Sequence, residues 1–73
     1  MLGDAGIAAV VRDRSRLVDG LQVDTGAAIL ATVQGAPGGV HVVSARRVNA
    51  TTIKIFLSGP APALTRVAYF VVN

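Results

Sequence analysis

Apolar and polar residues alternate most clearly over residues 52–57 (TIKIFL), where Ile53, Ile55 and Leu57 share one side of the chain and Phe56 lies on the other. A period of two residues is typical of a β-strand with one buried face. Turn residues separate further apolar stretches at residues 7–13, 16–18, 28–34, 40–48 and 66–72. The pattern therefore predicts an all-β protein, a small antiparallel β-sandwich or barrel of about six short strands.

The connections between these strands carry the residues that turns favour, at 19–20 (DG), 24–26 (DTG), 35–39 (GAPGG), 49–50 (NA) and 58–62 (SGPAP). A bulge is expected near residues 44–46. A helix over residues 5–16 is disfavoured, because its β-branched residues and the missing 3.6-residue stripe oppose one. We expect a single β-sandwich domain at residues 7–73, preceded by an N-terminal arm at residues 1–6 that reaches a neighbour.

The closing strand is apolar on both sides. One side carries Val67, Tyr69 and Val71, and the other carries Ala68, Phe70 and Val72. A strand of this kind is buried on both faces. In a two-layer fold one face meets the core, and we expect the other to meet another subunit. The predicted interface residues are Phe56, Tyr69, Phe70 and Val72. An alternative stays open, in which Phe56 and Phe70 cap an open end of the same core.

Size and composition also favour association. A chain of 73 residues buries only about 60% of its unfolded surface, and small domains need a further source of stability. Cysteine is absent and His41 is the only histidine, so disulfides and clustered thiolate or imidazole metal sites are excluded. The chain is 52% hydrophobic and only 15% charged, which predicts apolar residues at the surface or in an interface.

The net charge of +3 raises the question of nucleic-acid binding. The basic residues are interleaved with or close to Asp13, Asp19 and Asp24, without the alternation of aromatic and basic residues typical of single-strand binders. We expect solvated strand faces and turns, or a weak contact with an acidic partner surface. No apolar run is long enough to span a membrane, and the first residues do not read as a secretory signal.

Catalytic chemistry is poorly supported. His41 lies between two valines in a predicted strand, and Glu is absent, so paired carboxylates and a base with an orienting group are both hard to assemble. The glycine-rich residues 35–39 lack the phosphate-loop spacings, and a strand follows them instead of a helix. We therefore expect no enzyme activity, no cofactor and no metal.

Four strings of the chain resemble a β module of virion proteins in tailed phages of actinobacterial hosts. The module reads LATxQ, GVxVxxA, xxxIYLN and VAWFVV, and its counterparts here are residues 30–34 (LATVQ), 39–43 (GVHVV), 52–57 (TIKIFL) and 67–72 (VAYFVV). The resemblance covers about residues 7–73. Tyr69 stands where the module often has Trp, and Ser58 stands where it often has Asn. In larger proteins the module resembles a C-terminal appendage of minor tail proteins and virion-associated hydrolases.

The resemblance implies a virion setting. We expect a non-enzymatic structural protein, foremost a capsid decoration subunit that forms a homo-oligomer, expected to be a trimer, on the capsid surface. Its partners would be further copies of itself and the major capsid protein or another virion protein, without nucleic acid or membrane. The alternative is a tail- or fibre-associated module that binds host-surface carbohydrate, for which an exposed Tyr69 beside Arg66 or Asn73 would be the expected sign.

Overall fold

The computed structural model describes residues 2–35, 39–62 and 64–73, and this part of the chain contains six β-strands and no α-helix. The strands are β1 (Leu2–Val11), β2 (Ser15–Val18), β3 (Ala28–Val33), β4 (Val42–Asn49), β5 (Thr52–Leu57) and β6 (Leu64–Val72). The predicted all-β class and the number of strands are therefore confirmed.

Two three-stranded antiparallel sheets form a small sandwich and not a closed barrel. Sheet A has the order β1-β6-β3, and sheet B has the order β2-β5-β4. Only β4 and β5 are consecutive strands of one sheet, and they form a hairpin with Ala50 and Thr51 as its turn. Every other connection passes from one sheet to the other, so the sequence alternates between the two layers.

The core lies between the two central strands. The alternation of β5 turns Ile53, Ile55 and Leu57 inward, as the sequence predicted, and all three are buried. On β6 the inner side carries Val67 and Val71, both completely buried. The other members of the buried cluster are Val10, Val23 and Ala61.

The connection from β2 to β3 closes one end of the sandwich. Its residue Val23 is buried, and the Val23 amide donates a hydrogen bond to the Ala50 carbonyl at 2.9 Å. The Leu21 amide donates in the same way to the Thr51 carbonyl at 3.0 Å. The Arg47 Nε group donates to the Val23 carbonyl at 3.1 Å. This connection is therefore fixed to the β4–β5 hairpin although it belongs to neither sheet.

The expectation of an N-terminal arm at residues 1–6 is corrected from Leu2 onward. Residues 2–6 belong to β1, which pairs with β6 from Leu2 opposite Val72 to Val11 opposite Leu64, with one irregularity between Leu2 and Ala5. Gly3 and Asp4 are poor strand formers, which is why the sequence pattern placed the start of the strand at Ile7. Met1 lies outside the described residues.

Other boundaries differ by a few residues. The last strand begins at Leu64 instead of Arg66, and β4 begins at Val42 instead of Val40. The strand β4 has two register shifts, one between Val42 and Ser44 and one between Arg47 and Asn49, which lie just before and just after the predicted position. The turn at residues 24–26 is confirmed by a hydrogen bond from the Ala27 amide to the Asp24 carbonyl at 3.0 Å. Part of the predicted 35–39 loop, residues 36–38, lies outside the described residues.

Candidate functional site

The outer side of sheet A is apolar across all three of its strands. Because the inward positions are those of Ala8, Val10, Val67 and Val71, the register of the sheet assigns the alternate positions to the outside. We call this surface the apolar face. It consists of Ala5, Ile7, Ala9 and Val11 on β1, Leu64, Arg66, Ala68, Phe70 and Val72 on β6, and Ala28, Leu30 and Thr32 on β3.

Large aliphatic side chains of the apolar face are open to solvent. Ile7 is 63% exposed, Leu30 is 59% exposed and Leu64 is 58% exposed. Of the described residues that define the face, only Arg66 is charged, and Thr32 is the other polar member. Monomeric soluble proteins rarely expose apolar residues as a contiguous surface of this kind, and such patches mark interaction sites.

The dimensions of the molecule set an upper limit on the contact that the apolar face can make. The molecule measures 33 × 18 × 18 Å, so one broad side covers at most 33 × 18 Å, about 600 Å². Two such sides in contact would bury at most about 1,200 Å², which is the lower end of the range of about 1,200–2,000 Å² for specific protein–protein interfaces.

The outer side of sheet B has a different character. Arg46 and Lys54 are direct cross-strand partners, and both approach the ring of Phe56. The Arg46 guanidinium carbon lies 5.2 Å from the ring centroid, and the Lys54 ammonium nitrogen lies 5.1 Å from it. Two like charges that face each other across a sheet repel, and the negative face of an aromatic ring attracts both. This side is therefore cationic around a partly covered aromatic ring.

The structure separates the four predicted interface residues. Phe70 and Val72 lie on the apolar face, and both are partly buried by their neighbours. Phe56 lies on the outer side of the opposite sheet, so Phe56 and Phe70 cannot belong to one flat contact. Tyr69 points inward and packs against the core, so we exclude it from the contact surface.

The sequence reasoning missed Ile7 and Leu30, the most exposed large residues of the apolar face. Residues 28–34 were predicted to form a buried strand. Only one side of β3 is in fact covered, by the core. The alternation along the strand could have identified Leu30, since it places Leu30 on the side opposite to Ile29, Ala31 and Val33.

The condition for a carbohydrate platform is not met. Tyr69 faces the core side of the sheet and is only partly exposed, so it does not stand exposed beside Arg66 or Asn73. Phe56 is flanked by Arg46 and Lys54 and is only partly exposed. Phe56, Tyr69 and Phe70, the aromatic residues of the described chain, are each only partly exposed.

His41 lies beside a shallow open groove of about 390 Å³ between β3 and β4. Its backbone is held by Ser58: the His41 amide donates to the Ser58 Oγ at 3.1 Å, and the Ser58 amide donates to the His41 carbonyl at 2.8 Å. The described lining includes His41 and Thr32 but no carboxylate, and the His41 Nδ1 atom lies 3.5 Å from the Gly39 carbonyl oxygen. Among the described residues of the groove, no carboxylate is therefore placed to orient the His41 ring as a catalytic base.

Among the residues that the structure describes, His, Asp and Glu side chains form no cluster of three or more that would suit a metal ion. In that part of the chain there is also no helix with the length and hydropathy needed to cross a membrane.

Fold and site together define a small all-β sandwich with one apolar and one cationic outer side. Neither a protein-family model, nor a curated protein, nor a solved structure matches the chain. The site must therefore be interpreted from its own geometry.

Proposed function

We propose that this chain is a non-enzymatic structural subunit of a virion, foremost a capsid decoration protein, that associates with further copies of itself through the apolar face. The observation that carries the proposal is the exposure of Ile7, Leu30 and Leu64 on one side of sheet A. Burial of apolar surface is the main favourable term in protein association. The virion setting follows from the resemblance of residues 30–34, 39–43, 52–57 and 67–72 to the phage module.

The apolar face suits a rigid contact. It lies on regular strands that are hydrogen-bonded to each other over nearly their whole length, so little conformational entropy would be lost when it is covered. Its centre is formed by Ala68 and Phe70 on the middle strand, and the exposed Ile7 and Leu30 flank them on the two outer strands. The surface thus has the central aromatic anchor and apolar surround that interfaces use.

The experiment compares two lysine substitutions by light scattering across a range of protein concentrations. Leu30→Lys places a charge on the apolar face, and Leu17→Lys is the matched control, because Leu17 is 56% exposed but lies on the outer side of sheet B. We expect the wild-type chain and the control to have masses above the 7.4 kDa of one chain. We expect Leu30→Lys to remain a folded monomer.

A wild-type chain that is monomeric at every concentration, or an oligomer that Leu30→Lys leaves intact, would contradict association through the apolar face. The virion placement needs a separate measurement. An antibody against the folded chain, applied to purified virions in electron microscopy, should label the capsid surface. Label on the tail would replace decoration by the tail placement, and unlabelled virions would contradict both.

A further inference from the structure

We propose that the partner on the apolar face is a second copy related by a twofold axis at Ala68, so that Arg66 of each copy packs against Phe70 of the other. The inference rests on the proposed function, because it presupposes that the apolar face is buried between identical chains. It goes further in naming the symmetry, the register and the polar contact of that interface.

The position of the one charged residue motivates the proposal. Arg66 lies on the central strand of sheet A and is exposed, with Ala9 as its cross-strand partner on β1. A charge in the middle of an apolar contact is unfavourable unless the partner offers it a favourable interaction. A guanidinium group over an aromatic ring is such an interaction, and it strengthens as water is excluded. Phe70 is the only aromatic residue of the face within the described chain.

The spacing on β6 makes this pairing a consequence of symmetry. Arg66 and Phe70 lie two residues on either side of Ala68 and point to the same side of the sheet. Consider a twofold axis that lies in the interface, passes over Ala68 and is perpendicular to β6. It makes the two copies of β6 antiparallel, and position 66 of one chain then faces position 70 of the other. Two identical Arg66–Phe70 contacts result, as a self-complementary interface requires.

The same operation places further apolar residues opposite each other. The Ala68 residues face each other at the centre, where small side chains let the sheets approach. On β1, Ile7 is the partner of Ala68 and therefore meets the Ile7 of the other copy. On β6, Leu64 meets Val72. Aligned packing of two sheets at about 10 Å accommodates this arrangement.

Other symmetric arrangements are less favourable. An axis parallel to β6 would place Arg66 on the Arg66 of the other copy, which brings like charges together in an apolar contact. A threefold arrangement cannot cover one flat face with two neighbours at the same time, so each face would remain partly exposed. The twofold pair buries the whole face, and for this reason we expect a dimer instead of the trimer that the sequence led us to expect.

The test exchanges the two side chains. Phe70→Arg places a second guanidinium group against Arg66 in both contacts, and we expect the dimer dissociation constant to rise roughly a hundredfold or more. The double variant Arg66→Phe/Phe70→Arg restores one arginine and one aromatic ring in each contact, and we expect its constant to return to within about tenfold of the wild-type value. Circular dichroism and thermal unfolding check that both variants fold, and sedimentation equilibrium gives the constants.

A second measurement reads the register directly. The chain has no cysteine, so one introduced thiol is a clean probe. In the proposed dimer the two residues at position 68 are about 10 Å apart, whereas those at position 64 are separated by roughly 27 Å along the strands. A thiol crosslinker with a span of about 10 Å, the spacing of stacked sheets, should therefore join Ala68→Cys dimers and leave Leu64→Cys dimers unjoined.

The outcomes separate the two proposals. Restoration by the exchange together with crosslinking at position 68 supports the twofold register. A trimer, an exchange variant as weak as Phe70→Arg, or crosslinking at position 64 instead of 68 overturns the register, while sensitivity to Leu30→Lys still supports association through the apolar face. If the wild-type chain is a monomer and Leu30→Lys does not change its mass, both proposals are overturned.

Discussion

The hydroxyl end of the Tyr69 ring lies directly over Gly6, its cross-strand partner in sheet A. A Cβ atom on Gly6 would come within 2.6 Å of the Tyr69 hydroxyl oxygen and within 2.9 Å of the ring carbon that carries it. Tyr69 therefore occupies the space that a side chain on β1 would fill. The glycine lets an aromatic ring close this end of the inner side of the sheet, and a glycine in a strand commonly marks such a close approach.

The first prediction is that Gly6→Ala destabilises the fold by about 1–3 kcal/mol, because the added methyl group overpacks against Tyr69. Urea unfolding monitored by circular dichroism measures the change, because Tyr69 is the only tyrosine of the chain and one of the variants removes it. Gly26→Ala is the matched control, since no atom lies within 4 Å of the position of its Cβ. The double variant Gly6→Ala/Tyr69→Leu should lose less free energy of unfolding than the sum of the losses in the two single variants. Additive losses would show that the methyl group does not meet the ring.

The second prediction concerns Asn73, which joins the end of sheet A to the β2–β3 connection. Its Oδ1 accepts a hydrogen bond from the Asp24 amide at 3.0 Å, and its Nδ2 donates to the Gln22 carbonyl at 3.3 Å. Asn73→Ala should reduce the free energy of unfolding by about 1 kcal/mol, because exposed hydrogen bonds contribute modestly. Amide exchange at Asp24 should accelerate.

The control for Asn73→Ala is Gln22→Ala. It removes an exposed side-chain amide but leaves the Gln22 backbone groups that accept from Asn73 and donate to the Asp4 carboxylate at 2.6 Å. We expect Gln22→Ala to leave the exchange of the Asp24 amide unchanged. Equal acceleration in the two variants would mean that the Asn73 side chain does not hold this connection.

The third prediction is a coupling between Lys54 and Phe56. A double-mutant cycle of Lys54→Met with Phe56→Leu should give a coupling free energy of about 0.5–1 kcal/mol, the usual size of an exposed cation–π contact. The same lysine change combined with Phe70→Leu is the control, since Phe70 lies on the outer side of the other sheet. That cycle should be additive within error. Equal coupling in both cycles would argue against a direct contact between Lys54 and Phe56.

The sequence predicted the strands well because the relevant signal is local. Residues 52–57 alternate without interruption, and Ile53, Ile55 and Leu57 form part of the core as expected. The sequence pattern missed the beginning of β1, because the contacts that hold this part of the strand involve residues far away in the sequence. Gly3 leaves room for Asn73, whose Nδ2 would lie 2.8 Å from a Cβ there, and Asp4 accepts from the Gln22 amide.

The candidate site could be predicted only in part for a related reason. Alternation shows which residues of a strand share a side, and it correctly separated Phe70 and Val72 from Val67 and Val71. It does not show which sheet a strand joins. Phe56 and Phe70 were grouped as one interface, yet the connection from β5 to β6 passes between the sheets and leaves them on opposite sides of the molecule.

The fourth prediction concerns the corner at Arg12, where the chain passes from β1 in sheet A to β2 in sheet B. Arg12 has a φ of 61°, a left-handed conformation that costs a residue with a side chain about 1–2 kcal/mol relative to its usual backbone. The corner cannot relax easily, because the Asp13 carbonyl accepts from the Ala61 amide at 3.0 Å and the Arg14 carbonyl accepts from the Leu57 amide at 2.7 Å. Arg12→Gly removes the strain but adds flexibility to the unfolded chain, so we expect a net gain of up to about 1 kcal/mol in urea unfolding. Arg14→Gly, which removes the same charge where φ is not positive, should instead lose about 0.5–1 kcal/mol. If both glycine variants lose stability equally, the left-handed conformation of Arg12 is not a source of strain.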